Sequence, residues 1–283
     1  MPIVDLNEIL PKAQAEKYAV GAFNVENMEM VQAVVDAAEK LRSPVIIQTT
    51  PSTLKYAEPK MFVAMVRAKA ESSSVPVVLH LDHGSSYELA EKAFRAGYSS
   101  LMIDGSKLGF RENVALTLSV AELCRGSGVS VEAEIGCIGG KEDSLSARSI
   151  YTEPSQAKEF YEQTKVDALA VAIGTAHGIY KSTPSISVER LAQIRRLISV
   201  PLVLHGTSGV DDDVVRACIE NGICKVNYAT DLRIAYTAAV REILADEGVF
   251  DPKKYQSAGR DAVTECVMHR IKVCGSGNKA PRA

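Results

Sequence analysis

Eight short runs of apolar, often β-branched residues recur along this chain, and a helix-length segment follows each: AVGAFNV, PVIIQTT, PVVLHLDH, SSLMIDGS, SVEAEIG, ALAVAIG, PLVLHGT and CKVNYAT. Parallel strands covered by helices read this way, as nearly continuous apolar stretches, because both of their faces are buried. Eight such strand-and-helix units in 283 residues predict an α/β chain closed into a (β/α)8 barrel of the TIM type. The intervening segments support it: Glu29 to Leu41 carries Met30, Val34, Ala37, Ala38 and Leu41 at helical spacing, a stripe able to face the barrel. Pro44, Pro76 and Pro201 each stand where a strand opens, a place where a missing N–H costs little, and so mark the bottom of the barrel. A further helix is predicted at Pro252 to Val273, with no ninth strand after it, either beside the barrel or against a neighbouring subunit. No Pro/Gly-rich linker or low-complexity tract breaks the pattern. Residues 1–283 therefore read as one barrel domain, with the terminal GSGNKAPRA expected to fray.

Charge narrows the function. A formal net charge of −3 and a pI near 6.0 lack the basic surface of a nucleic-acid binder, so neither nucleic acid nor an acidic membrane is an expected partner. No apolar run approaches the roughly 20 residues needed to cross a bilayer, and MPIVDLNEIL has neither the basic flank nor the apolar centre of a signal peptide. The expected location is the cytoplasm. Cys124, Cys137, Cys218, Cys224, Cys266 and Cys274 form no C-x-x-C pair and read as reduced, mostly buried thiols.

Barrel enzymes place their chemistry at the C-terminal ends of the strands. Two connections there are longer than usual, Cys137 to Thr152 and Thr175 to Ser185, and are the candidate lids. His83, His177 and His205 fall at or just beyond the ends of strands three, six and seven, and three imidazoles from separate strands fit the open site of a catalytic zinc. A single histidine would more often be a surface or hydrogen-bonded residue; three at one rim favour the metal. His80, two residues before Asp82 on the same strand face, reads as structural, and His269 as a surface or interface residue. Asp82, beside a proposed ligand, suits either proton transfer or orientation of a zinc histidine. Asp104 and Glu134, near the ends of strands four and five, could bind a second or alternative metal position, since core-facing carboxylates without a cation are costly. Gly174, Gly178, Gly206 and Gly209, with Ser208 and the run Asn227, Tyr228, Ala229 and Thr230, lie where this fold usually binds phosphate, and the absence of a Walker sequence points to sugar phosphate.

Taken in order, HLDHG, DGS, EAEIG, GTAHGIY, LHGTSG and KVNYATDLRIA resemble the motifs of class II ketose-bisphosphate aldolases, and the match runs from AFNVEN to CGSGNK. The resemblance implies a zinc-dependent lyase of carbohydrate metabolism, with His83, His177 and His205 as Zn2+ ligands and Asp82 as acid/base. It implies Asp104 and Glu134 as an alternative site for a second divalent or a monovalent cation. It places Glu142, in GGKED, on the family's proton-transfer glutamate, a residue that would otherwise read as a solvated loop charge. Gly178, Gly206, Thr207, Ser208 and Asn227 to Thr230 fall on the segments that hold dihydroxyacetone phosphate. AVAIGTAHGIY and NYATDL look most like the tagatose-bisphosphate branch, whereas HLDHGSS and Gly209 look like the fructose branch; phosphorylated deoxy-keto acid aldolases share similar motifs. The implied partners are a sugar bisphosphate and triose phosphates, a homo-oligomer and an accessory subunit. A Schiff-base aldolase is disfavoured because Lys225 reads as the start of its strand and Lys141 as part of a lid. A zinc hydrolase on the same barrel is separated from the aldolase by product analysis. A non-catalytic sugar-phosphate-binding subunit is disfavoured by the retained Asp82, Glu142 and histidines.

Overall fold

The computed structural model describes residues 3–136, 139–140, 151–178 and 184–281. Eight parallel strands close a barrel in sequence order: β1 (Val20–Asn24), β2 (Val45–Thr49), β3 (Val77–Gly84), β4 (Ser100–Ile103), β5 (Ser130–Ile135), β6 (Ala168–Val171), β7 (Leu202–Leu204) and β8 (Ile223–Tyr228). Each strand falls within a predicted run, except that β3 ends one residue after its run and β8 begins one residue before its own. Closure is made by β1 on β8, from Val20 beside Lys225 to Phe23 beside Tyr228. The helices are α1 (Leu10–Glu16), α2 (Met28–Leu41), α3 (Pro51–Tyr56), α4 (Pro59–Ala70), α5 (Tyr87–Ala96), α6 (Phe110–Cys124), α7 (Pro154–Thr164), α8 (Val188–Leu197), α9 (Asp212–Glu220), α10 (Thr230–Ile243) and α11 (Pro252–Cys274).

The local chemistry accounts for the boundaries. Asn27 caps α2 by accepting from the Met30 N–H, and Met30, Val34, Ala37 and Ala38 are its buried stripe. Pro44, Pro76 and Pro201 each precede the first residue of β2, β3 and β7. The extra helix α11 packs against α2 and α10, beside the barrel. His269 on it is exposed and bonded to Asp212 at 2.8 Å.

The inward strand faces change character from bottom to top. At the bottom, Val20, Ala22, Ile46, Val78, Ala168, Ala170 and Val203 join Val4, Leu6, Ile9, Leu10 and Ala13 in one apolar cluster. The N-terminal segment is thus a plug, tied by Val4 N–H to the Val77 carbonyl and by Leu6 N–H to Ser130 Oγ, both at 3.0 Å. Further up the same faces stand Asn24, Gln48, His80, Asp82, Glu132 and Lys225, all buried. The outward faces, with Phe23, Ile47, Leu79, Leu81, Val226 and Tyr228, form the main core under the helices.

Two expectations need correction. The tail does not fray as far as Ala280: Asn278 N–H donates to the Leu41 carbonyl at 2.8 Å, Ala280 N–H to the Arg42 carbonyl at 3.0 Å, and Ser276 meets Ser43 at 2.8 Å. Lys225, read as the start of its strand, is the third residue of β8 and points into the interior. Cys124, Cys218, Cys224 and Cys274 are buried free thiols and Cys266 is half-buried; Cys137 lies outside the described residues. None of the described helices is long and apolar enough to cross a membrane.

Leu6 is fully buried in the plug. Leu6→Ala is expected to lower the free energy of unfolding by about 2–5 kcal/mol, read as a shift of the urea midpoint; an unchanged midpoint would show that the plug does not seal the barrel.

Candidate active site

Adjacent residues of a strand point to opposite faces, so Asp82 and His83 could not both reach the mouth from a regular β3. His83 adopts a left-handed backbone, φ 50°, and the pairing of β3 with β4 shifts register between Leu81 and Gly84. This bulge turns the His83 ring back over the barrel opening. A non-glycine residue held there costs on the order of 1–3 kcal/mol and persists only where its surroundings hold it. Here the His83 N–H meets Met102 Sδ at 3.3 Å, and its Nδ1 bonds Asp104 Oδ2 at 3.0 Å.

With Nδ1 taken by Asp104, His83 directs Nε2 at His205 Nδ1, 2.9 Å away. The ring of His177 stands edge-on, 4.8 Å from His83 and 6.2 Å from His205 between centroids. The ligand atoms of His83, His177 and His205 lie within 4.8 Å of one another, as do those of His83, Asp104 and Glu134. The structure thus brings together all five residues read as metal ligands. His177 arrives through a two-residue strand, Ala176–His177, that pairs with Gly139–Gly140 above the barrel.

This donor set fits a cation. Glu134 is buried with Oε2 unbonded among the described residues, and its carboxyl is pushed well above the usual range by burial and by Asp104. Burial opposes a charge on His83, but Asp82, Asp104 and Glu134 outweigh it and push the imidazole up to about 10. Two imidazole nitrogens facing at 2.9 Å need a hydrogen or a metal ion between them; with the far nitrogens both facing carboxylates, His83 Nδ1 on Asp104 and His205 Nε2 on Glu132, a hydrogen there makes the pair cationic. A zinc ion bound by three histidines keeps a position open for substrate.

Asp82 is 3.8 Å from His83 Nε2. Its Oδ2 accepts from Asn24 Nδ2 at 2.8 Å and its Oδ1 from Asn227 Nδ2 at 3.1 Å; Gln48 in turn donates to Asn24 Oδ1 at 2.8 Å. Burial opposes ionisation of Asp82, yet His83, His205, Lys225 and the Asn24 amide together hold it below the usual carboxylate range. The result is a charged, oriented carboxylate at the edge of the histidine cluster. The buried Asn227 Oδ1 and Gln48 Oε1 have no partner among the described residues.

The loop that the sequence offered for phosphate follows β7. Gly206 has φ 64°, and a Cβ there would sit 2.6 Å from the Ala176 carbonyl oxygen, so only glycine allows the two loops to touch. Thr207 Oγ1 donates to the Asn227 carbonyl, tying the loop to β8. Ser208 is buried, and a Cβ at Gly178, φ 97°, would meet nothing within 4 Å among the described residues. Ala229 occupies the N-cap of α10 without a side-chain cap and Thr230 opens the helix, leaving a helix N-terminus at the rim. Tyr228 requires a correction: its side chain points outward, fully buried, stacked on Phe23 at 5.6 Å, with its hydroxyl 3.5 Å from Cys274 Sγ. The alternation of β8 that sends Asn227 inward sends Tyr228 into the helix layer. Glu142 and Lys141 lie outside the described residues, as does most of each candidate lid.

The family model for class-II fructose-bisphosphate aldolase matches residues 4–279. The chain belongs to that family. The structure of the YdjI aldolase from Escherichia coli K12 is similar at 36% identity and a TM-score of 0.88, over 99% of this chain and 100% of that one. A putative fructose-1,6-biphosphate aldolase from Coccidioides immitis gives 30% and 0.89 over 97% of each chain. Fructose-bisphosphate aldolase from Campylobacter jejuni gives 25% and 0.84 over 98% of this chain and 97% of that one.

Four side chains at the centre of this class II aldolase barrel went unassigned in the sequence: Asn24, Gln48, Glu132 and Lys225. Their signal is a period of two. Each is a polar residue inside an otherwise apolar strand, in step with inward neighbours such as Ala22, Ile46, Glu134 and Asn227. If His83, His177 and His205 hold the metal, His83→Ala and His205→Ala should each reduce zinc retained after dialysis from about one per chain to a small fraction, measured by atomic absorption. Full retention would move the metal elsewhere.

Proposed function

We propose that this class II aldolase cleaves D-tagatose 1,6-bisphosphate reversibly into dihydroxyacetone phosphate and glyceraldehyde 3-phosphate with zinc at His83, His177 and His205. The observation that carries the reading is Asp82, kept charged and fixed between Asn24 and Asn227 beside the three imidazoles. When bound, zinc would supply Lewis-acid charge next to the ketose carbonyl. Asp82 takes the proton of the C4 hydroxyl; the C4 oxygen becomes the carbonyl of the departing triose as the C3–C4 bond breaks, and the electron pair passes to C3. Asn24 and Asn227 keep the carboxylate aimed through that transfer, and Asn227 Oδ1 is a buried acceptor suited to a substrate hydroxyl. Gly206, Thr207, Ser208 and Gly178, with the N-terminus of α10 at Ala229 and Thr230, suit the phosphate of the dihydroxyacetone half through backbone N–H groups. Glu142 is assigned the protonation of C3 on the family resemblance.

The tagatose assignment rests on AVAIGTAHGIY and NYATDL, and on Ala229 where fructose enzymes tend to carry an acidic or amide residue. Fructose 1,6-bisphosphate is the second reading, favoured by Gly209: its φ of 85° suits glycine, whereas tagatose enzymes often carry aspartate there.

Purified protein offered each sugar, with and without chelator, should release triose phosphate faster from tagatose 1,6-bisphosphate and lose activity when chelated. Preference for fructose would change the substrate alone; cleavage of neither with zinc present would exclude both sugars for the isolated chain and turn the reading to a partner-dependent or non-catalytic subunit. Asp82→Ala is expected to lower turnover by about 10²–10⁴-fold while zinc stays bound, and normal turnover in that variant would exclude Asp82 as the base.

A further inference from the structure

Beneath the histidine cluster lies a salt bridge that the proposed cleavage does not use. Glu132 on β5 and Lys225 on β8 are fully buried and meet at 2.8 Å, Nζ to Oε2. The other carboxylate oxygen, Oε1, lies 3.0 Å from His205 Nε2. His80 closes the layer, its Nε2 3.5 Å from Lys225 Nζ and its Nδ1 bonded to Ser100 Oγ at 2.8 Å. A buried ion pair is a poor source of stability, because apolar side chains of similar volume often replace it without loss. Its geometry toward His205 offers a different use.

We propose that Glu132, held in place by Lys225, is a positioning residue that fixes His205 as the Nε2–H tautomer and so turns the Nδ1 lone pair into the metal cluster; this inference rests on the metal reading above. An ammonium can only donate, so Lys225 occupies Oε2 and sets the plane of the carboxylate. Oε1 is then left to face the imidazole, and a carboxylate oxygen only accepts, so the nitrogen opposite it carries the hydrogen. Nδ1 is thereby the acceptor, and it faces His83 Nε2 at 2.9 Å. Asp104 does the same for His83 in the opposite sense, taking Nδ1 and freeing Nε2. The two rings thus enter the cluster through different nitrogens, each selected by a carboxylate on its far side. His80 cannot take over, since its ring is committed to Ser100 and the Lys225 side of the layer.

Glu132→Gln nearly preserves the shape and breaks the logic. The amide offers one acceptor; if Lys225 keeps it, an NH2 group faces His205 Nε2 and drives the ring to the Nδ1–H tautomer. Zinc affinity, measured by competition with a chromophoric chelator, is expected to fall about 10–100-fold. Imidazole 15N shifts of the metal-free protein should report Nε2–H for His205 in the parent and Nδ1–H in the variant. A Glu132→Met, Lys225→Met double variant removes the ion pair without leaving a buried charge; it should melt near the parent yet bind zinc at least 10-fold more weakly, which a purely structural pair would not produce. Parental zinc affinity in either folded variant, or His205 found as Nδ1–H in the parent, overturns the proposal. Should zinc in the parent ignore His177→Ala, the metal reading fails instead, and the 15N shifts still decide the tautomer.

Discussion

The left-handed turn at His83 is the constraint around which the mouth of this barrel is arranged. A strand can deliver only every second side chain to one face, and at this mouth two consecutive ones, Asp82 and His83, stand side by side. The bulge between Leu81 and Gly84 solves the geometry and leaves a strained residue, which its neighbours must hold. Asp104 holds the ring, Met102 the backbone, and Gly84 gives β3 room: a Cβ there would lie 2.4 Å from the Met102 carbonyl oxygen. Asp82, carried upright beside it, is then close enough to feel both imidazoles and to stay charged although buried.

A second constraint is electrical. The upper interior carries Asp82, Asp104, Glu132 and Glu134, and the Lys225 ammonium balances only part of that charge. The imbalance is visible in two opposite shifts, Glu134 pushed toward its neutral form and His83 toward its cationic one. Burial is the larger cause for Glu134, with Asp104 adding to it, whereas at His83 the carboxylates Asp82, Asp104 and Glu134 outweigh burial. The lower interior has no such tension, because Val20, Ile46, Val78 and Val203 pack there against Leu6 and Leu10. Rigid apolar packing below therefore carries a polar, frustrated layer above, and the strands that span both transmit the precision of one to the other.

The barrel was legible because its signal is repetitive and local: apolar runs, prolines at strand entries and the stripe on α2 each follow from neighbouring residues. The five proposed metal ligands were legible because His83, Asp104, Glu134, His177 and His205 all come within a few residues of strand ends, a position readable from the strand pattern. Asn24, Gln48, Glu132 and Lys225 were passed over because their meaning lies across the barrel, in partners 24 to 145 residues away. Tyr228 was misassigned for the converse reason. It stands in a motif rich in functional residues, yet strand alternation points it into the helix layer, and motif membership says nothing of which face a side chain takes. The tail from Gly275 to Ala280 read as loose because its composition is that of a linker, whereas its backbone bonds go to Leu41 and Arg42 at the end of α2.

Those tail bonds have a geometric corollary. Lys279 pairs with Glu16 at 2.8 Å and its carbonyl accepts from Lys12 at 2.9 Å, so the first helix and the last described turn meet on the floor of the barrel, opposite the opening that holds the histidines. Because Lys12 and Lys279 meet there, a short cross-link between α1 and that turn would have little distance to span and would leave the histidine cluster untouched. The same arrangement lets a fluorescent or affinity label attached to α1 or to that turn sit on the side away from the histidines.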